Sequence, residues 1–270
     1  GKDLAKVKLV VSGAGAAALA CLELLVKMGL PRGHIIVTDI KGVVYKGRTE
    51  LMDPDKERFA QDTPHRTLSE VIPDADIFLG LSAGGVLKPE MVAKMAPNPL
   101  ILALANPNPE ILPEDAKAVR SDVIIATGRS DYPNQVNNVL CFPYIFRGAL
   151  DVRASTINDA MKIAAAEALA KLAREDVPDE VHRSGGGRHL HFGPEYIIPN
   201  AFDPRLISWL PPAVARAAME SGVAKRPIAD LRRYARELSG RLDPTANALD
   251  AIMERVRANP KRVVFAEGER

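Results

Sequence analysis

Residues 8–39 of this 270-residue chain read KLVVSGAGAAALACLELLVKMGLPRGHIIVTD, and this stretch decides the fold. An apolar run at 9–11 enters the glycine turn Gly13-Ala14-Gly15-Ala16-Ala17, which an alanine-rich segment follows. The pattern predicts a strand, a turn, a helix and a second strand ending at Asp39. This order is the G-x-G-x-x-A dinucleotide-binding fingerprint, whose ribose-binding acid lies about 20–25 residues beyond the glycines.

The glycine turn has a physical reason to bind a pyrophosphate. Glycines let the main chain turn tightly and approach the phosphates, and the helix that follows offers unpaired N–H groups and a positive dipole end. Glycine turns between a strand and a helix also occur without ligands. Here strand, turn, helix, strand and acid follow in order, so we predict nucleotide binding.

The rest of the first two thirds predicts a Rossmann-like α/β fold with a doubly wound parallel sheet. Apolar runs at 75–79, 100–105 and 123–126 predict strands, and the segments 88–95 and 113–119 predict helices between them. Small or polar residues follow each predicted strand. Because ligands of open α/β sheets bind beyond the carboxyl ends of the strands, these loops should surround one crevice.

The last third predicts a C-terminal helical arm and linker. We expect a helix over 155–175, capped by a serine at its start. A second helix is expected over 211–221, beginning with two prolines. Between the two helices we expect an extended arm from 196 to about 206. A glycine- and histidine-rich loop is expected over 178–193. Its His189 and His191 are interpreted as exposed loop residues, because no carboxylate or cysteine stands at ligand spacing. The charged stretch 224–259 is interpreted as a solvated helical connector.

Composition narrows the classes of partner. A formal net charge of +2, with basic residues spread along the chain, favours neither nucleic acid nor a membrane surface. We expect no signal peptide, and the sequence has no apolar run of about 20 residues. Cys21 and Cys141 are interpreted as reduced, buried cysteines, and we expect a cytoplasmic protein.

Two asparagine clusters follow predicted strands. Asn106 begins the first, Asn-Pro-Asn-Pro, and Asn138 ends the second, Gln-Val-Asn-Asn. Asparagine and proline are also common turn formers, so both clusters are compatible with turns that bind no ligand. An amide in the crevice can donate to a carboxylate and accept from a carboxamide without titrating. The loops show no clear acid–base pair and no carboxylate cluster for a divalent cation, and Lys41 is interpreted as an adenosine-side residue.

Taken together, several motifs resemble one family. They are Ser-Gly-Ala-Gly-Ala-Ala-Ala at 12–18, Asp-Ile-Lys-Gly at 39–42, Lys-Gly-Arg at 46–48, Ala-Asn-Pro at 105–107, Gln-Val-Asn-Asn at 135–138 with Phe-Pro at 142–143, and Phe-Gly-Pro-Glu-Tyr-Ile-Ile-Pro at 192–199. The chain resembles the cofactor-binding part of a bacterial malic enzyme of the long type, fused to a phosphotransacetylase-like domain.

The resemblance implies four regions. They are an NAD(P)-binding domain (1–178), a C-terminal arm and helix (179–223), a helical linker (224–259) and the start of the fused domain (260–270). It also implies oxidation of malate by NAD(P)⁺, decarboxylation to pyruvate with Mg²⁺ or Mn²⁺, and a homo-oligomer.

For individual residues, the resemblance implies that 14–17 cradle the pyrophosphate and that Asp39 faces the adenosine ribose. Asn106 would lie at the nicotinamide and the substrate, and Asn138 at malate. An acid at Asp39 generally favours NAD, but Lys41 or Lys56 could compensate, and on resemblance we expect NADP rather than NAD.

The family's catalytic Tyr and Lys and its acidic metal ligands precede the glycine fingerprint, whereas twelve residues precede Gly13 here. We therefore expect a chain that binds NAD(P) without turning over malate. Two alternatives stay open: a different hydroxy-acid or amino-acid dehydrogenase, and a nucleotide-binding or oligomerisation module without turnover.

Overall fold

A computed structural model of the chain describes residues 1–184, 190–242, 252, 253, 255, 256 and 259. Its sheet has six strands in the order β3-β2-β1-β4-β5-β6. Their bounds are β1 Leu9–Ser12, β2 Ile35–Asp39, β3 Gly42–Val43, β4 Ile77–Gly80, β5 Leu100–Ala103 and β6 Ile124–Thr127. All neighbours pair in parallel except β2 and β3. The predicted Rossmann-like doubly wound sheet is confirmed, and the short antiparallel edge strand β3 is an addition that the sequence pattern did not indicate.

The helices connect these strands and continue beyond the sheet. They are α1 Ala16–Lys27, α2 Pro54–Glu57, α3 Leu68–Val71, α4 Pro89–Val92, α5 Pro113–Val119, α6 Phe142–Asp151, α7 Asp159–Leu172, α8 Asp179–Ser184, α9 Leu206–Glu220 and α10 Leu231–Leu242. Two 3₁₀ turns, Arg32–His34 and Asn138–Leu140, precede β2 and α6.

The sheet is covered on both faces, which is what near-continuous apolar strands require. Successive side chains of a strand point to opposite faces, so β1 divides its residues between two apolar clusters. Val10 packs with Phe78 and Ile101 in one cluster, whereas Leu9 and Val11 belong to the other. The parallel β1 is therefore buried throughout.

The chain divides into two units. The first contains residues 1–142 and 169–202, with every strand of the sheet, and the second contains 143–168 and 203–270. Within the second unit α9 packs against α10. A side chain at Gly148 of α6 would come within 2.6 Å of the Pro211 carbonyl oxygen, so only glycine fits there. The domain boundaries after 178, 223 and 259 remain predictions, and the predicted start of the fused domain at 260–270 lies outside the described residues.

Three predicted segments of the last third begin or fold differently. α9 begins at Leu206 and includes Pro211, because burial of its apolar residues outweighs the poor helix propensity of proline. α7 begins at Asp159 instead of 155, because the Asn158 side chain accepts from the Met161 amide at 3.1 Å and caps the helix. Part of the predicted loop 178–193 is the helix α8, Asp179–Ser184.

The cysteine and histidine interpretations have mixed outcomes. Cys21 is exposed and Cys141 is half-buried, so the prediction that both are buried was wrong; Cys21 lies on the outer face of α1. Both are free thiols. His191 is exposed, and His189 lies outside the described residues. In the described part of the chain, no helix is long and apolar enough to cross a membrane.

Candidate dinucleotide site

Gly13 holds the turn at the carboxyl end of β1 in a conformation that only glycine adopts readily. Its φ is +110°, and its amide donates to the Thr38 carbonyl of β2 at 2.8 Å. A Cβ atom at Gly13 would lie 2.3 Å from the Leu81 carbonyl oxygen, just beyond β4. Gly13 therefore wedges the turn between the ends of β2 and β4, where a side chain would collide with the main chain.

Gly15 has a different role, because space surrounds it. It is the N-cap of α1 in an extended conformation (φ −82°, ψ 176°), and no described atom would lie within 4 Å of a Cβ atom there. Ala16 and Ala17, in the first turn of the helix, are exposed, and the first turn holds no acid. The amides and positive end of a twelve-residue helix thus face open space, which fits a pyrophosphate. Ala14 is buried beneath the turn.

Asp39 is at the end of β2, as predicted, but four donors of the chain already occupy its carboxylate. Oδ1 accepts from Arg48 Nη1 at 3.0 Å and from the Lys41 amide at 2.8 Å. Oδ2 accepts from Arg48 Nη2 and from Lys56 Nζ, the latter at 3.4 Å. A carboxylate offers about four acceptor positions, so this one is saturated by the protein itself.

The donors to Asp39 also determine the charge at the end of β2, the Asp39 corner. Burial opposes ionisation of Asp39, but the hydrogen bonds from Arg48 and the Lys41 amide outweigh it, and the pKa of Asp39 is lowered. Arg48 and Lys56 bring two positive charges to the Asp39 carboxylate, and a second carboxylate, Asp53, lies 4.0 Å from Lys56 Nζ. Lys41 is exposed and pairs with Glu50 at 2.5 Å. The end of β2 therefore does not present a free negative charge.

The two predicted asparagines, Asn106 and Asn138, are exposed. Asn106 follows β5, and its amide lies beside the end of β6, since a Cβ atom at Gly128 would be 3.0 Å from Asn106 Oδ1. Asn138 begins the 3₁₀ turn after β6, which Asn137 caps by accepting from the Val139 amide at 3.1 Å. Both side chains are exposed, and their role in binding a ligand at the carboxyl edge stays a prediction.

Asn134 is an asparagine that sequence reasoning missed. It is buried, with a φ of +57°, and its amide donates to the carbonyls of Ile125 at 3.0 Å and Pro194 at 2.7 Å. Its oxygen accepts from the Ile197 amide at 2.8 Å. It fastens the segment 194–197 to β6. The only signal was its place beside a proline in the turn.

Glu110 is the second residue that was missed, and it is fully buried. Its carboxylate accepts from the main-chain amides of Ser82, at 2.9 Å, and Ala105, at 3.1 Å. An acid directly after Asn-Pro-Asn-Pro was visible in the sequence, but its partners were not, because Ser82 lies 28 residues away.

Among the residues that the structure describes, no group of three or more His, Cys, Asp or Glu side chains could hold a metal ion. The acids at the carboxyl edge are engaged by neighbours. Asp39 pairs with Arg48 and Lys56, Asp131 pairs with Arg129, and Glu110 accepts main-chain donors. The edge thus offers amides, hydroxyls and main-chain groups to a ligand.

The strand order, the wedged Gly13 and the open start of α1 define the first unit as a Rossmann-type dinucleotide-binding domain. The family model for the malic enzyme NAD binding domain matches residues 1–182, and the chain belongs to the malic enzyme family.

The relatives are named as malic enzymes, and their names give either NADP or NAD as the cofactor. The chain is 62% identical to the NADP-dependent malic enzyme of Rhizobium meliloti, over 100% of this chain and 35% of the relative. It is 56% identical to the NAD-dependent malic enzyme of the same organism, again over 100% and 35%. The crystal structure of Entamoeba histolytica malic enzyme matches with a TM-score of 0.77 at 29% identity, over 97% of this chain and 52% of that one. The chain spans about a third of the length of these curated relatives.

Proposed function

We propose that this chain is the dinucleotide-binding part of an NADP-dependent malic enzyme, which oxidises and decarboxylates malate to pyruvate and CO₂ as a complete protein. The observation that carries the proposal is the open start of α1 behind Gly13, in a chain of the malic enzyme family. The identity of 62% to an NADP-dependent relative supports the particular activity.

In this proposal the residues 14–17 hold the pyrophosphate, and Asp39 with Lys41 lies at the adenosine ribose. Asn106 orients the nicotinamide and malate, and Asn138 binds malate. Both amides keep their hydrogen-bonding pattern at every pH at which the enzyme works, because they do not titrate. A bound nicotinamide cofactor would supply the hydride acceptor for the oxidation of malate.

Further parts of the reaction are proposed for the complete enzyme. A Tyr and a Lys for proton transfer, and acidic ligands for Mg²⁺ or Mn²⁺, would belong to the length that the relatives have in addition to the matched third. A homo-oligomer, a cytoplasmic location and a fused phosphotransacetylase-like domain are likewise proposals. The last rests on the resemblance that assigns residues 260–270 to the start of that domain, and these residues are outside the described ranges.

The environment of Asp39 supports NADP over NAD. A free carboxylate at the end of β2 would repel a 2′-phosphate, whereas this one is neutralised by Arg48 and has Lys56 beside it. The Lys56 side chain is 15% exposed, and its Nζ donates to the Leu51 carbonyl at 2.6 Å, so its position is held. An ammonium group placed there is suited to a phosphate as a point charge.

Replacing Lys56 by alanine should separate the two cofactors. We expect Lys56→Ala to weaken NADP⁺ binding about tenfold, because one charged hydrogen bond to the 2′-phosphate is lost, and to change NAD⁺ binding less than about twofold. Calorimetry of the chain with each nucleotide measures both. Lys117→Ala is the matched control, since Lys117 pairs with Glu195 on the surface. An equal loss for both nucleotides would contradict a role in reading the 2′-phosphate.

The proposed function is tested on the 270-residue chain in two steps. Calorimetry should show binding of NADP⁺ more tightly than NAD⁺, and a steady-state assay with malate, Mn²⁺ and NADP⁺ should show no turnover. Absence of binding to either nucleotide would refute the proposal. Clear turnover would instead show that the chain contains the whole catalytic apparatus.

A further inference from the structure

We propose that Glu110 is a positioning residue for the nicotinamide half of the nucleotide site. The proposal rests on the proposed function, since it concerns how the same site is held in shape. Glu110 touches no reacting atom. Its carboxylate acts through the ends of β4 and β5, which it joins beneath the surface of the carboxyl edge.

The geometry around Glu110 is specific to a carboxylate. Oε1 accepts from the Ser82 amide at 2.9 Å and from the Ser82 hydroxyl at 3.3 Å, and Oε2 accepts from the Ala105 amide at 3.1 Å. The donors thus come from two loops and approach opposite oxygens. A carboxylate accepts on both oxygens, whereas a carboxamide can accept on only one of its two polar ends.

Gly80 makes room for this arrangement. A Cβ atom at Gly80 would lie 2.3 Å from Cδ of Glu110 and within 2.7 Å of both carboxylate oxygens. The last residue of β4 therefore has to be glycine while Glu110 keeps its position. Glu110 is 0% exposed and Ala105 is buried, whereas Ser82 is exposed. The buried Ala105 amide would lose its partner if the carboxylate were removed.

The joined loops are those that face the expected nicotinamide half. Ala105 directly precedes Asn106, so the hydrogen bond to its amide sets where the Asn106 side chain begins. Ser82 also contacts Ser12 through their hydroxyl oxygens, 2.8 Å apart, and Ser12 directly precedes Gly13. Glu110 thereby sets the position of the β5 loop relative to the β4 loop. The adenosine corner at Asp39 has its own support from Arg48 and Lys56.

Glu110→Gln in the 270-residue chain tests the proposal with two ligands. NADP⁺ fills the whole site, whereas adenosine 2′,5′-bisphosphate lacks the nicotinamide half. We expect NADP⁺ binding to weaken about tenfold, the size for loss of one buried charge-assisted hydrogen bond, and the bisphosphate to change by less than about twofold. Ser82→Ala, which removes only the hydroxyl contacts, should shift binding in the same direction by a smaller factor.

The controls separate positioning from general destabilisation. Ile72→Ala removes packing from a fully buried position after α3 and should lower the melting temperature while leaving the ratio of the two affinities unchanged. If Glu110→Gln weakens both ligands equally, or neither, the positioning role is wrong. If Glu110→Gln does not fold, the ratio of the NADP⁺ affinity to the bisphosphate affinity is measured for Ser82→Ala instead, and the same criterion applies. If the unmodified chain binds neither ligand, the proposed function fails, and the positioning role fails with it.

Discussion

Gly13→Ala is expected to destabilise the dinucleotide-binding domain by roughly 3–5 kcal/mol, a large part of the stability of an ordinary domain. The reason is twofold. Alanine at a φ of +110° is strained, and its Cβ atom would lie 2.3 Å from the Leu81 carbonyl oxygen, which belongs to the main chain and cannot rotate away. Urea denaturation of the chain, followed by circular dichroism, measures the loss.

Gly15→Ala is the matched control, because it makes the same chemical change two residues further along. Its Cβ atom would enter open space at φ −82°, so the free energy of unfolding should fall by no more than about 1 kcal/mol, the usual cost of alanine at an N-cap. Nucleotide binding should nevertheless drop strongly, since the methyl group stands where the pyrophosphate must approach. Equal stability losses for both variants would contradict the assigned roles.

Arg48→Ala is expected to cost about 3 kcal/mol of unfolding free energy at pH 7. Arg48 and Asp39 are nearly buried, with 4% and 10% of their side chains exposed, and removing one partner leaves a buried charge poorly compensated. Arg48 also donates to the carbonyls of Gly42 and Val43, at 3.2 and 3.1 Å, which holds the edge strand β3. Lysine cannot reproduce these forked contacts, so Arg48→Lys should restore little of the loss.

The pH dependence of this effect has a definite sign. Because the pKa of Asp39 is lowered in the folded chain, the pair stabilises fully above the carboxyl's unfolded pKa, near 3.9, and the contribution disappears as pH falls through the lowered value. The difference between Arg48→Ala and the unmodified chain should therefore shrink below about pH 4. A urea series from pH 7 to pH 3 measures it.

Arg233→Ala provides the comparison for Arg48→Ala. Arg233 pairs with Glu237 on the exposed face of α10, where such pairs contribute about 0.5 kcal/mol or less. If Arg48→Ala lowered the free energy of unfolding no more than Arg233→Ala, the pair of Arg48 with Asp39 would contribute no more than an exposed pair, which contradicts the prediction.

Local patterns were sufficient for five of the six strands and for part of the site. The apolar runs predicted five strands, and the glycine turn predicted the loop at which the helix α1 opens. These features depend on neighbours along the chain, so they are visible in one stretch of residues. Ser155 was expected to cap the helix that Asn158 caps, because several residues suited to capping stand close together there and only packing selects one.

Partners from distant segments could not be predicted in the same way. The acid at the end of β2 is visible at residue 39, but its neutralisation needs Arg48, nine residues later, to fold back on it. Glu110 is ordinary in the sequence and becomes the junction of two loops only when β4 and β5 lie side by side.

Residues 8–39 alone predict a Rossmann-type domain, the position of its phosphate-binding turn and the acid at the end of β2. These features depend on short-range periodicity and on the conformations open to glycine. The tertiary structure adds the charge state of the Asp39 corner and the support beneath Asn106. Both arise from side chains that parallel strands bring to one edge, and burial there turns ordinary charged residues into strong, directional partners.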